Sequence, residues 1–181
     1  MKRNILTIVF LAVALLSNAQ DTFTLTSSDI SGQAENKQVF NSMGCTGENK
    51  SPQLKWVNAP EGTKSFAITM YDKDAPTGSG LWHWMVSNIP GNISELPTAA
   101  GDVTLALMPE GAIQSMNDLG GFGYVGPCPP EGDRPHLYII TVYALKVAAL
   151  NIDKNTSPAL LGFMLNSNAI QKASIVFYYQ R

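Results

Sequence analysis

The sequence predicts a mainly β fold, built as two packed sheets with one late helix. Three observations lead there. Short runs rich in branched and aromatic residues recur along the chain. Turn signals punctuate them: "EGTK" around Gly62, "GNIS" around Gly91 and "NDLGGFGY" around Gly121. One well-marked helical pattern lies near the C-terminus. With no internal repeat and no low-complexity linker, the 181 residues are expected to form one domain after an N-terminal leader.

In "SPQLKW", Leu54 and Trp56 alternate with polar neighbours, as a half-buried strand requires. Residues 65–72 ("SFAITMYD") and 82–89 ("WHWMVSNI") read as the next strands. Alternation through the second puts Trp82 and Trp84 on one face and His83 on the other. Residues 137–147 ("LYIITVYALKV") form the longest run, and residues 173–180 ("ASIVFYYQ") the last. Between these two lies the helix. Thr156 or Ser157 can cap it, and Pro158 suits the first helical position. Leu160, Leu161, Met164 and Leu165 then share one face, which is expected to be core.

Residues 1–19 read as a secretory signal peptide and residues 20–181 as the mature domain. Lys2 and Arg3 give a basic start, and Ile5 to Leu16 an apolar stretch too short to span a bilayer. Ser17 and Ala19 supply small residues for cleavage after Ala19. A periplasmic or secreted location follows, with no stable membrane insertion afterwards. Loss of Lys2 and Arg3 moves the net charge from −2 to about −4. Without a basic stripe, nucleic acid is not expected as a partner.

The chain holds two histidines, and each sits beside an Asp, Gly and Pro cluster. Asp72 ends one strand, and Asp74, Pro76, Gly78 and Gly80 lead back into the strand carrying His83. A carboxylate there would lie near the imidazole and favour its charged form. A lone strand histidine is, taken by itself, more often structural. The second cluster is "GPCPPEGDRPHLY". Gly126 brings backbone N–H groups close to a ligand, while Pro127, Pro129 and Pro130 hold the loop open. His136 and Tyr138, two apart, share a face. An imidazole, a phenol and free N–H groups suit a small anion. The alternative is a Pro-rich surface loop with an incidental histidine. Cys45 and Cys128 are either bridged, which export permits, or two buried thiols.

The motifs "DKDAP", "WHWMVSNIP" and "GPCPPEGDRPHLY" together resemble the phosphatidylethanolamine-binding proteins, in particular their bacterial Raf-kinase-inhibitor-like branch of YbhB/YbcL type. "MGCTGENKSPQLKW" resembles that branch's Gly-x-Asn-x-Ser-Pro-x-Leu-x-Trp opening. The likeness runs from about Phe40 to the C-terminus. It implies an antiparallel Greek-key β-sandwich with a C-terminal helix and a small anion pocket at one end. The implied ligand-binding residues are Asp72, Asp74, His83, Gly126, Cys128, Pro129, His136 and Tyr138. The likeness also implies a cis peptide at Ala75–Pro76. Cys45 and Cys128 both lie in motifs flanking the pocket, so a bridge would staple its rim. Two departures stand out. The family's His-Arg-Tyr is His136-Leu137-Tyr138 here, with Arg134 the nearest arginine. Asn166 and Asn168 lie where relatives often offer a histidine.

The function expected is an exported binding protein with a pocket for phosphate-type anions, regulatory or inhibitory by binding. A protease or other protein inhibitor acting through a protein interface is the alternative. A His/Asp hydrolase is the least favoured. No catalytic residue, metal ligand or cofactor is expected. His-x-x-x-His and Glu-x-x-His spacings are missing, and Ser79 and Ser115 lack a motif that activates a nucleophile.

Overall fold

Among the described residues, eight strands and one helix form in the order β1 (Thr24–Thr26), β2 (Leu54–Val57), β3 (Ser65–Asp72), β4 (Leu81–Pro90), β5 (Glu95–Leu96), β6 (Ile113–Ser115), β7 (His136–Leu145), α1 (Pro158–Asn168) and β8 (Ala169–Tyr179). The computed structural model describes residues 21–181. The expected signal peptide lies outside the described residues. Among those described, no helix is long and apolar enough to cross a membrane.

The named strands of both sheets pair antiparallel, and Gln33 adds a single parallel bridge to Tyr178 of β8. A small sheet runs β1-β2-β5, and a large one β6-β4-β3-β7-β8. Within the large sheet the order β7-β3-β4-β6 is a Greek key, with β7 returning to lie beside β3. The main core fills the space between the sheets. Leu25, Leu54 and Trp56 meet Phe66, Ile68, Met70, Trp84, Ile140, Val142 and Phe177 there. Leu54 and Trp56 are the buried members of an alternating strand, as their spacing predicted.

A second core lies on the outer face of the large sheet, under α1. Ser157 caps the helix, its Oγ accepting from the Leu160 N–H at 3.4 Å, and Pro158 opens it. Leu161 and Leu165 bury against Ala67, Met85, Tyr143, Leu145 and Leu150. The expected four-residue apolar face is narrower in fact. Leu160 is 52% exposed and Met164 only partly buried. The contact stripe is Pro158, Leu161, Gly162 and Leu165. A Cβ on Gly162 would meet the Trp82 ring at 3.8 Å, so the helix rests on the sheet through this line and turns Leu160 away.

The two tryptophans of β4 do not share a face. Met70 pairs with Trp84 and Tyr71 with Trp82, which leaves His83 as an extra residue, a β-bulge. Beyond the bulge the alternation flips. Trp84 enters the main core, edge-on to Tyr124. Trp82 packs on the α1 side against Tyr71, ring centroids 4.5 Å apart.

Candidate functional site

The bulge carries His83 to the end of the main core, where β3 and β7 finish. Asp72, the last residue of β3, pairs directly with Tyr138 of β7. His136 lies two residues before Tyr138 on the same face. These four side chains form the floor of a cavity of about 110 Å³. Its walls come from three loops. Ala75, Pro76 and Thr77 lie between β3 and β4, Val125, Gly126, Cys128, Pro129 and Pro130 lie before β7, and Phe40 and Met43 lie before β2. Leu81 and Leu119 complete an apolar surround. The two sequence clusters therefore converge, and Asp72, His83, Gly126, Cys128, Pro129, His136 and Tyr138 all line one cavity.

The floor is buried and ordered by hydrogen bonds. His136 Nδ1 lies 2.7 Å from Asp72 Oδ2, so the ring donates to the carboxylate there. Its Nε2 lies 3.5 Å from Asp133 Oδ2. Asp72 Oδ1 accepts the Asp74 N–H at 2.8 Å. His83 Nδ1 donates to the Val125 carbonyl at 2.9 Å, which leaves Nε2 as its second polar atom. Burial pushes the His83 imidazole below its ordinary range, against weaker opposing pulls from the Val125 carbonyl, Asp72 and Asp118. Tyr138 is fully buried, and burial pushes its phenol strongly upward, with Asp72 adding to the effect. Its hydroxyl makes no hydrogen bond of good geometry in the described structure, although the Asp72 carboxylate lies beside it. An orphaned buried hydroxyl costs about 1–3 kcal/mol.

Two residues of the expected set have other work. Asp74 turns away from the cavity. Its carboxylate accepts the Leu137 N–H at 2.9 Å and meets Lys73 Nζ at 3.0 Å and Arg134 Nη2 at 2.9 Å. The Leu137 bond, followed by Lys73, holds this carboxyl below the usual range. Arg134 thus clamps the loop from outside. The Gly126 N–H is also not free, because it donates to Asn49 Oδ1 at 2.8 Å. Glycine is needed at that position for close approach. A Cβ would stand 2.0 Å from the Gln38 carbonyl oxygen and 2.6 Å from the Phe40 nitrogen.

The Ala75–Pro76 peptide is trans, as are all described peptides. The reversal is made by other means. Thr77 N–H bonds the Ala75 carbonyl at 2.8 Å, a tight turn on Pro76, and Gly78 and Gly80 take positive φ. A disulfide joins Cys45 to Cys128, with Cα atoms 6.0 Å apart. Phe40, Met43 and Leu119 also line the cavity, and Asn49 holds the Gly126 N–H behind it; the sequence offers no sign of either role. An apolar or amide residue far along the chain carries no local signal of facing a cavity.

The profile for the family described as "Phosphatidylethanolamine-binding protein" matches residues 30–180. The Escherichia coli UPF0098 protein YbcL is 48% identical over 172 residues, covering 94% of each chain. The UPF0098 protein YbhB of the same organism is 46% identical over 139 residues, 77% of this chain and 87% of that protein. The crystal structure of E. coli YbcL, described as a new member of the mammalian PEBP family, superposes with a TM-score of 0.86. It is 49% identical and covers 88% of this chain and 98% of that one. The homologue CT736 of Chlamydia trachomatis superposes at 0.72 with 27% identity, covering 88% of this chain and 97% of that one.

Proposed function

The chain belongs to the phosphatidylethanolamine-binding protein family, and from that premise we propose that its cavity binds the phosphate-type head of a small ligand and that it acts by binding rather than turnover. The observation that carries this reading is the Tyr138 hydroxyl. It is buried and unpartnered at the floor of a cavity that it shares with His83 and His136. Ring centroids lie 5.4 Å from Tyr138 to His83 and 6.5 Å to His136. A ligand oxygen beside the phenol gains its O–H as a donor, and gains His83 Nε2 as a second donor once that ring is protonated. The Asp72 charge is already shared between His136 Nδ1 and the Asp74 N–H, which softens its repulsion of an anion.

Support for binding without turnover comes from the cavity's own nucleophile candidates. The Thr77 hydroxyl donates to the Gly80 carbonyl, and Cys128 is in the disulfide. The ligand class is a free phosphate or a phosphate ester such as phosphoethanolamine, and the chain is exported before it meets that ligand. Calorimetry with inorganic phosphate and with phosphoethanolamine at pH 5.5 and pH 8 tests the site. Tighter binding is expected at pH 5.5, because His83 must gain a proton against its burial to face an anion as a cation. His136→Ala is expected to weaken binding at both values. Equal affinity across pH, and no effect of His136→Ala, would sink the reading.

A further inference from the structure

The disulfide is placed where the cavity opens. Cys128 lines it, and Cys45 lies in the hairpin before β2 that supplies Phe40 and Met43 to the wall. The base of that hairpin is stitched by backbone bonds: Phe40 N–H to Pro127 O at 3.1 Å, Gly47 N–H to Phe40 O at 2.9 Å, and Asn49 N–H to Val39 O at 2.8 Å. Its tip, residues 41–46, has little else. Cys45 N–H bonds Ser42 O at 3.0 Å within the tip itself. Beside the disulfide and the packing of buried Cys45, the side chain that hydrogen-bonds the tip from the rest of the described protein is Arg181.

Arg181 Nη1 lies 3.5 Å from Cys45 Sγ, 3.8 Å from Cys128 Sγ and 3.4 Å from the Met43 carbonyl. Its own carbonyl accepts the Gly132 N–H at 3.2 Å, which pins the C-terminus here. Gly44 makes room, since a Cβ there would stand 2.9 Å from Nη1. A bridge that serves only as a staple needs no cation against its sulfurs. A guanidinium there stabilises a thiolate, the species that attacks and departs in thiol–disulfide exchange.

We infer that the Cys45–Cys128 bond is a redox gate on the cavity, opened by a dithiol reductant, with Arg181 the positioning residue that holds the departing thiolate. Cys45 is 7% exposed and Cys128 is the more open of the two. The reductant's thiolate therefore attacks Cys128 Sγ, forming a mixed disulfide and breaking the bond to Cys45. Cys45 leaves as a thiolate beside Arg181 Nη1 and takes a proton from solvent. The reductant's second thiol then attacks its own sulfur in the mixed disulfide and releases Cys128. Two electrons and two protons pass from the dithiol, which becomes a disulfide. The tip carrying Met43 is freed while the hairpin base stays stitched, so the cavity loses one wall and the fold persists.

The consequence for ligand rests on the phosphate reading above, and two measurements on the full mature chain separate the two. Amide hydrogen exchange, read by mass spectrometry with and without dithiothreitol, is expected to rise in residues 41–46 and at Cys128 on reduction and to stay level in β3. Unchanged exchange at the tip overturns the gate whether or not phosphate binds. Calorimetry with inorganic phosphate is expected to show at least fivefold weaker binding after reduction. Equal affinity in the two states also overturns the gate, whereas tip opening with no phosphate binding in either state overturns the phosphate reading alone. For Arg181, reduction by dithiothreitol is expected to slow about tenfold in Arg181→Gln and to stay within about threefold of wild type in Arg181→Lys. A wild-type rate in Arg181→Gln removes Arg181 from the mechanism.

Discussion

Tyr138 separates stability from binding in a single atom. Its hydroxyl is buried and unpaired, so the free protein bears its desolvation without return. Tyr138→Phe is therefore expected to leave the melting temperature unchanged or slightly higher, while phosphate affinity falls about tenfold, the worth of one lost hydrogen bond to a charged group. Calorimetry beside thermal unfolding checks both halves. His83 gives a second test with a definite sign. Its folded pKa lies below that of the unfolded chain, near 6.5. The unfolded chain thus binds the proton first as pH falls. The stability tied to neutral His83 is fully present above about pH 6.5 and is lost as pH drops towards the folded value. Urea unfolding at pH 7.5 and pH 5 is expected to show a larger loss in the wild type than in His83→Gln. Equal losses would mean that His83 titrates as it does in the unfolded chain.

Two elements are set by details finer than their periodicity. The bulge in β4 turns His83 towards the cavity and divides Trp82 from Trp84. Strict alternation would have grouped the tryptophans and sent His83 to the other side. The helix α1 shows the same sensitivity. Leu161 and Leu165 are fully buried, while Leu160 and Phe163 are 52% and 68% exposed. Leu161→Ala is expected to cost about 2–5 kcal/mol through lost burial and the cavity left behind. Leu160→Ala is expected to stay within about 0.5 kcal/mol of wild type. Denaturant unfolding of the two variants decides it, and equal costs would put Leu160 back in the core.

At the scale of the whole molecule, the sheets bring sequence-distant segments to one end. Asp72 reaches His136 across 64 positions, and Cys45 reaches Cys128 across 83. The cavity exists only once β3, β4 and β7 are registered side by side. The export we propose belongs to this scale too, since it sets the compartment in which the disulfide forms. N-terminal sequencing of the chain recovered from a periplasmic fraction is expected to begin at Gln20. An intact Met1 on chain retained in the cytoplasm would contradict export.

The sequence by itself determined the fold class, most of the strand positions and the two clusters that come to line one cavity. These depend on local properties: alternation in Leu54 and Trp56, branched and aromatic runs, the Ser157-Pro158 helix start, and the Asp, Gly, Pro and His clusters. Tertiary structure alone decided the finer assignments. Asp74 is spent on Leu137 and Arg134, the Gly126 N–H on Asn49, and Tyr138 is left without a partner. A trans peptide at Ala75–Pro76 suffices because Gly78 and Gly80 share the reversal. The reason is that a hydrogen bond is made with whatever the folded chain brings within about 3 Å. Residue type and spacing say which groups can bond, and packing says which of them are left free for a ligand.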